Sequence, residues 1–460
     1  MAGLEARTTP IPGMIVLTLP MPGDNRGWFK ENWQRAKMLE LGLPDFGPVQ
    51  NNMSFNTSKG ATRGLHAEPW DKYVSLATGR IMGAWVDLRE GESFGAKFSL
   101  EMGPETAVFV PRGVANGYQA LEDGTAYTYL VNDHWSPEAR ASYTYLNLAD
   151  ETAAIEWPIP LDQAEISDAD KAHPRLADVS PMPAKRTVVL GAKGQLGQGL
   201  MALLPDAVGL DRTELDLTDR EAVQSFDWNQ VGTIVNAAAY TAVDVAETEQ
   251  GRRDCWAANV TAVQNLVELA RERRIRLVHV SSDYVFDGTV TEHREDEAFS
   301  PLGVYGQTKA AGDALVATLP EHYIVRTSWV IGGGKNFVGI MADLAKKGVK
   351  PTVVSDQFGR LTFTEDLAAG IVHLLSTGAE YGTYNLTNTG EVSSWADIAR
   401  TVFEMVGASA DDVTPVSTEE YAAGKQISPR PTHSALVLDK IIAAGFTPAP
   451  AEQRLRELLG

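Results

Sequence analysis

The apolar pattern of this chain changes period once, near Arg186, and the change divides it into two kinds of fold. Before it, short alternating runs recur, such as Tyr73-Val74-Ser75-Leu76, Ile81–Leu88 and Ala107–Val110. Gly79, Gly91, Gly95, Gly103, Pro104 and Pro111-Arg112-Gly113 punctuate them. A period of two with regular turns predicts an all-β sandwich or barrel, and a jelly roll is the natural form for one that holds a ligand. After Arg186, Thr187–Leu190, Thr233–Asn236 and Arg276–Val280 read as buried strands. Between the last two, Trp256, Val260, Val263, Leu266, Val267 and Ala270 fall on one helical face. Strands alternating with helices predict an α/β, Rossmann-type, doubly wound parallel sheet. The stretch between the two patterns, with Pro174, Pro181 and Pro183, reads as an exposed linker. The expected division is therefore 1–170, a linker at 171–185, and 186–460.

A chain of 460 residues is long enough for such a division. Its formal net charge of −20 would repel phosphate, so nucleic acid is not an expected partner. Cys255 is the single cysteine, which rules out an intrachain disulfide and suits a reducing compartment. Met1-Ala2-Gly3-Leu4-Glu5-Ala6-Arg7 lacks the apolar core of a signal peptide, and no run of about 20 apolar residues suggests a membrane span. A cytoplasmic enzyme is the expectation.

Two sets of residues carry chemistry. In the first part, Arg63-Gly64-Leu65-His66 is followed by Lys72, Tyr129 and Asp170. Removing a proton beside a ketone needs a base, a cation at the developing oxyanion and an acid to return the proton. His66, Lys72 and Tyr129 suit those roles, and Asp170 suits the imidazole. In the second part, Gly191-Ala192-Lys193-Gly194-Gln195-Leu196-Gly197 lies between a strand and a helix start. Such a loop lets backbone approach a pyrophosphate at a helix N-terminus. Asp211-Arg212 follows about 20 residues later. Asp there suits a free ribose 2′-hydroxyl and Arg a 2′-phosphate, so NADPH and NADH both stay open. Tyr305 and Lys309, four apart on one helix face, make a proton donor tuned by a neighbouring ammonium. Ser282 can bond the same carbonyl oxygen. His134, His173, His279, His293, His322, His373 and His433 are scattered in sequence, and no metal is expected.

Residues 10–171 resemble the dTDP-4-dehydrorhamnose 3,5-epimerases, which are cupin jelly rolls. The matching pieces are Pro10–Gly13, Asp24–Phe29 with Glu31, Gln50-Asn51-Asn52, Arg63–His66, Asp71-Lys72, Val86–Arg89 and Glu156-Trp157-Pro158. The resemblance implies His66 as base, Asp170 as its partner, Lys72 as enolate stabiliser and Tyr129 as acid. It implies that Arg26, Glu31, Gln50, Asn52 and Arg63 bind the nucleotide sugar, and that the chain is a homodimer through this domain. Three positions depart from the family: Asn116 stands for a His, Glu68 for a Gln and Trp135 for a Tyr. These departures are expected to touch ligand recognition more than proton transfer.

Residues 186–460 are similar to the dTDP-4-dehydrorhamnose reductases of the extended short-chain dehydrogenase/reductase group, which carry a small substrate-binding lobe. The resemblance rests on Asn236–Asp244 with Ala246-Glu247, Asp283–Gly288, Arg326–Val330, Asn336-Phe337, Asp356–Gly359 and Pro429-Arg430-Pro431 with Ser434. Ser282 stands where the family has Thr, and Leu361-Thr362 where it has Pro-Thr. The resemblance implies NADPH or NADH bound by the glycine loop, Asp216, Leu217, Ala237 and Ala238, with Tyr284, Trp329 and Arg430 on the sugar nucleotide. Together the two resemblances imply consecutive steps toward dTDP-L-rhamnose. The alternative is a reductase for another dTDP-6-deoxy-L-sugar, with the cupin domain only a binding or dimerising module.

Overall fold

The structure is a computed structural model that describes residues 3–460. It separates into two compact units, residues 1–184 and 185–460. Among the described residues, no helix is long and apolar enough to cross a membrane.

The first unit is the jelly roll that the alternating runs predict. Its strands are β1 (Glu5–Thr8), β2 (Ile15–Thr18), β3 (Gly23–Asp24), β4 (Gly27–Trp28), β5 (Gln50–Asn56), β6 (Ala61–Ala67), β7 (Lys72–Thr78), β8 (Ile81–Asp87), β9 (Lys97–Met102), β10 (Thr106–Val110), β11 (Val114–Ala120), β12 (Thr125–Val131), β13 (Thr144–Tyr145) and β14 (Glu165–Ile166). One sheet runs β1-β2-β10-β7-β12-β5 and the other β13-β6-β11-β8-β9, with β14 beside β6. The pairs are antiparallel except β14 with β6. Between the sheets, Ile11, Val74, Leu76, Trp85, Val108 and Tyr118 form a buried cluster. Central strands such as β8 are covered on both faces, whereas the outer strand β5 alternates covered and exposed.

The segment expected as a linker is instead part of this unit. Leu176, Val179 and Met182 are buried with Leu65, Val86 and Leu148. The Met182 amide donates to the Leu88 carbonyl at 2.7 Å, and Glu90 N–H donates to the Met182 carbonyl at 3.0 Å. Proline marks a chain that cannot be helix or central strand, but such a chain can still cover a core, and three apolar side chains at intervals of three residues anchor this one.

The second unit has the expected parallel sheet. Its strands β15 (Arg186–Leu190), β16 (Val208–Leu210), β17 (Val231–Asn236), β18 (Arg276–Ser282) and β19 (His322–Thr327) are ordered β16-β15-β17-β18-β19, with Gly382–Asn385 beyond β19. The order reverses between β15 and β17, which opens a crevice at their carboxyl ends. Core clusters lie on both faces of the sheet. A further cluster around Ile331, Met341, Val402 and Phe403 builds the small lobe.

One helical expectation needs correction. Val263, Leu266, Val267 and Ala270 are buried as the period requires, but Trp256 is exposed. The turn Ala257–Thr261 is π-helical and lies between the helices Glu249–Trp256 and Ala262–Arg273. The wide turn adds a residue and rotates Trp256 off the covered face.

Candidate functional sites

In the jelly roll, strand register gathers the chemistry around His66. Asn116 of β11 stands opposite His66 on one side and Tyr145 of β13 on the other. The close approach needs Gly64, whose φ is +116° and whose added Cβ would stand 2.5 Å from Gly117 Cα. His66 Nε2 meets Asp170 Oδ1 at 2.9 Å, and the Gly64 amide donates to Asp170 Oδ2 at 3.3 Å. Burial raises the Asp170 pKa, but the His66 bond and charge and the Gly64 amide outweigh it and leave the carboxyl below its ordinary value.

Lys72 is 4% exposed. Its Nζ reaches Glu68 Oε2 at 2.6 Å and donates to Asn116 Oδ1 at 2.7 Å. Trp70 Nε1 donates to Glu68 Oε2 at 2.7 Å, and Asn116 Nδ2 donates to the Tyr127 hydroxyl at 2.8 Å. Burial pulls the Lys72 pKa down, and the Glu68 carboxylate opposes it. The ammonium lies 5.7 Å from the centre of the Tyr129 ring. Tyr129, opposite Asn52 on β5, is pushed up to about 12, first by burial and then by the Glu68 charge. His66, Asp170, Lys72 and Tyr129 thus share one region with two of the departures.

The other expected sugar-binding residues are less gathered. Gln50 Nε2 donates to Asn52 Oδ1 at 2.7 Å and Gln50 Oε1 accepts from the Trp135 amide at 3.1 Å, while Arg63 Nε donates to Asn56 Oδ1 at 3.1 Å. Arg26 lies at the exposed β3–β4 turn and pairs with Asp24, and Glu31 pairs with Lys37.

In the second unit the glycine loop joins β15 to the helix Gln195–Leu203, which Gly194 begins without a side-chain cap. Its first amides are therefore not capped by a side chain, as an anion site requires. Gly191, at φ +76°, is forced by the opposite wall of the crevice: a Cβ there would stand 2.9 Å from Ala238 N and Cα. Ala237 N–H donates to the Leu190 carbonyl at 3.0 Å, which keeps that wall in place. Leu196 and Gly197 are buried on the first turn. These residues fit a dinucleotide pyrophosphate. At the position expected for the ribose, Lys193 pairs with Asp211, whose carboxyl it holds far below the usual range together with Thr213. Arg212 Nε is 3.6 Å from Asp216 Oδ2, and its side chain is 83% exposed. Leu217 presents its carbonyl to Asn265 Nδ2 at 2.9 Å.

Tyr305 and Lys309 lie on the helix Val304–Val316 beside the end of β18. Lys309 Nζ donates to the Val280 carbonyl at 2.7 Å and lies 3.4 Å from His279 Nε2. Burial lowers its pKa to about 8. Tyr305 is raised above its ordinary value by burial, and a bond with Ser282 opposes this. Ser282 Oγ donates to Asp283 Oδ1 at 2.9 Å. The Tyr284 and Tyr305 rings meet edge to face at 5.6 Å, and the Tyr284 phenol bonds with Arg430. Arg430 in turn donates to Asp244 Oδ2 at 3.0 Å. Ser282, Tyr284, Tyr305, Lys309 and Arg430 are therefore one constellation. Trp329, at φ +44°, stacks on Trp395 at 3.8 Å in the small lobe.

A family model for the RmlD substrate binding domain matches residues 185–460, and one for dTDP-4-dehydrorhamnose 3,5-epimerase matches residues 8–178. A protein RmlC homolog from Streptococcus pyogenes serotype M6 is 50% identical over 180 residues, 38% of this chain and 90% of that protein. A dTDP-4-dehydrorhamnose reductase from Aggregatibacter actinomycetemcomitans is 37% identical over 293 residues, 59% of this chain and 98% of that protein. The chain belongs to both families. A crystal structure of dTDP-4-dehydrorhamnose reductase from Bacillus anthracis in complex with NADP is 34% identical, covers 60% of this chain and 98% of that one, and superposes with a TM-score of 0.55.

Within this epimerase–reductase fusion, two sequence expectations change. Glu68 and Asn116 are the direct partners of the Lys72 ammonium, so two of the departures touch the proton-transfer set rather than ligand recognition alone. The histidines are not all scattered, because His173 lies edge-on to His66 with ring centres 5.3 Å apart and His279 lies against Lys309. Asn259 was not singled out by sequence. It is buried in the π-turn, where Oδ1 accepts from Tyr240 N–H at 2.8 Å and Nδ2 donates to Thr308 Oγ1 at 3.0 Å. A lone Asn inside an apolar helical pattern gives no warning of a widened turn.

Proposed function

We propose that the chain performs two consecutive steps on one dTDP-linked keto-sugar. The jelly roll inverts C3 and C5 of dTDP-4-dehydro-6-deoxy-D-glucose, and the second unit reduces C4 to give dTDP-L-rhamnose. The observation that carries the reading is the presence of both families in one chain, each with its reactive side chains gathered.

In the first step His66 takes the proton beside the ketone. Asp170 engages Nε2, so Nδ1 is the nitrogen left to act as base, and the carboxylate steadies the imidazolium. Lys72 meets the negative charge that develops on the C4 oxygen. Inversion needs a proton returned to the opposite face, so a second group must deliver it. Tyr129 fits, because burial keeps its phenol protonated. Arg26, Glu31, Gln50, Asn52 and Arg63 hold the nucleotide sugar. A homodimer through this unit belongs to the reading: the outer strand β5 exposes Met53 and Phe55, and Trp28 and Phe29 at the β3–β4 hairpin are exposed as well.

In the second step Tyr305 gives its proton to the C4 oxygen while Ser282 bonds the same atom. Lys309 favours the phenolate left behind. NADPH supplies the hydride when bound along Gly191, Gly194, Gln195, Leu196, Gly197, Asp216, Leu217, Ala237 and Ala238. The phosphate-bearing form is preferred over NADH because Lys193 neutralises Asp211 and the Arg212 guanidinium is largely exposed nearby. Tyr284, Trp329 and Arg430 line the sugar-nucleotide side.

Incubating the chain with the keto-sugar in deuterated water without NADPH tests the order of events. Deuterium should enter C3 and C5 first, and NADPH added afterwards should be consumed. Reduction without prior exchange would leave the jelly roll as a binding or dimerising module.

A further inference from the structure

His173 is a half-buried imidazole that the proton chemistry above does not use. It follows the helix Asp168–Lys171, and its ring stacks on Tyr145 with centroids 4.6 Å apart. Its Nε2 stands 3.9 Å from Asp170 Oδ1, the same oxygen that His66 Nε2 meets at 2.9 Å. One donor atom from each of His66, Asp170 and His173 lies within 4.8 Å of the other two. Nitrogen and carboxylate oxygen bind Zn²⁺ at about 2.0–2.2 Å, so donors around one ion stand roughly 3–4 Å apart. Side-chain shifts on the order of 1 Å would close these three around an ion. Asp170 is buried and His173 is stacked on Tyr145, whereas the His66 side chain is 33% exposed, which leaves solvent a route to the open coordination positions.

We propose that His66, Asp170 and His173 form a site for a divalent transition ion of the Zn²⁺ class, and that occupancy switches epimerisation off. Two imidazoles and one carboxylate are the donor types such ions select. To ligate through Nε2, the neutral His66 ring carries its proton on Nδ1 instead, so uptake of the ion releases no proton and blocks the nitrogen that acts as base. The base and its partner are then both committed to the ion. No comparable His, Cys, Asp and Glu group occurs among the described residues of the reductase unit, so reduction continues. The switch rests on the assignment of His66 as base; the site itself does not.

The test uses the metal-free full chain. Titration with Co²⁺ should give a visible d–d absorption that saturates at one ion per chain and is displaced by Zn²⁺. Deuterium exchange at C3 and C5 should fall in proportion to occupancy and return with chelator, while NADPH oxidation on pre-epimerised sugar stays constant. His173→Phe keeps the stack on Tyr145 and should weaken the ion by at least about tenfold, the least that loss of even an outer partner costs. Its metal-free exchange should match the unsubstituted chain. The proposal is overturned by the absence of a saturable Co²⁺ absorption, by unchanged affinity in His173→Phe, or by full exchange at full occupancy. If the ion binds but the metal-free chain never exchanges, the site stands and the epimerase reading fails.

Discussion

Replacing His66 by Asn removes the base without emptying its place between β11 and β13. Deuterium entry at C3 and C5 should drop by roughly 10²–10⁴-fold, the worth of a positioned base, while pre-epimerised sugar is still reduced. Glu68→Gln makes a finer test. The Glu68 carboxylate opposes the burial that lowers the Lys72 pKa, so its loss lowers that pKa further. The basic limb of the exchange-rate profile should then move to lower pH, because an adjacent opposite charge no longer favours the ammonium. An unmoved limb would show that Glu68 only packs. Tyr305→Phe keeps the ring and should cost reduction roughly 10²–10⁴-fold with exchange intact; near-normal reduction would transfer the donor role to Tyr284. At this scale the residue types were legible in sequence, because a base, a cation and an acid have few candidates. The pairing of Glu68 and Asn116 on one ammonium was not legible. It depends on β11 lying beside β6 with Asn116 opposite His66, a register that no local pattern encodes.

At the end of β18, the sheet buries a carboxylate against the reductase site. Burial raises Asp283 to about 6, and the Ser434 and Ser282 hydroxyls only partly offset it. Its unfolded value is about 3.9. The folded protein therefore holds that proton more tightly, and the stability it contributes is complete below about pH 4 and lost as pH rises through about 6. Asp283→Asn is neutral throughout and keeps an acceptor for Ser282. It should stabilise the reductase unit by roughly 2–3 kcal/mol well above pH 6, and the gain should vanish near pH 4. Urea unfolding at the two pH values checks this, and equal gains at both would contradict it. Most elements were legible because short apolar runs bounded by Gly and Pro mark strands such as β8, and period 3.6 marks the helix Ala262–Arg273. The π-turn at Ala257–Thr261 was not, because its cause is tertiary: Asn259 ties it to Tyr240 and Thr308.

For the whole molecule, the place where the chain divides has a direct consequence. A fragment ending at residue 170 loses Leu176, Val179 and Met182 and bares the cluster around Leu65, Val86 and Leu148. Burying an aliphatic side chain is worth about 1.5–3 kcal/mol, so three of them are a large share of a small unit's stability. The fragment 1–184 should be soluble and exchange deuterium, and the fragment 1–170 should aggregate; equal behaviour of the two would contradict the packing. One experiment reads both steps together. The full chain is given dTDP-4-dehydro-6-deoxy-D-glucose and NADPH in deuterated water, and the product is read by NMR. The expected product is dTDP-L-rhamnose with deuterium at C3 and C5 and protium from the cofactor at C4. A reduced sugar with protium retained at C3 and C5 would contradict it.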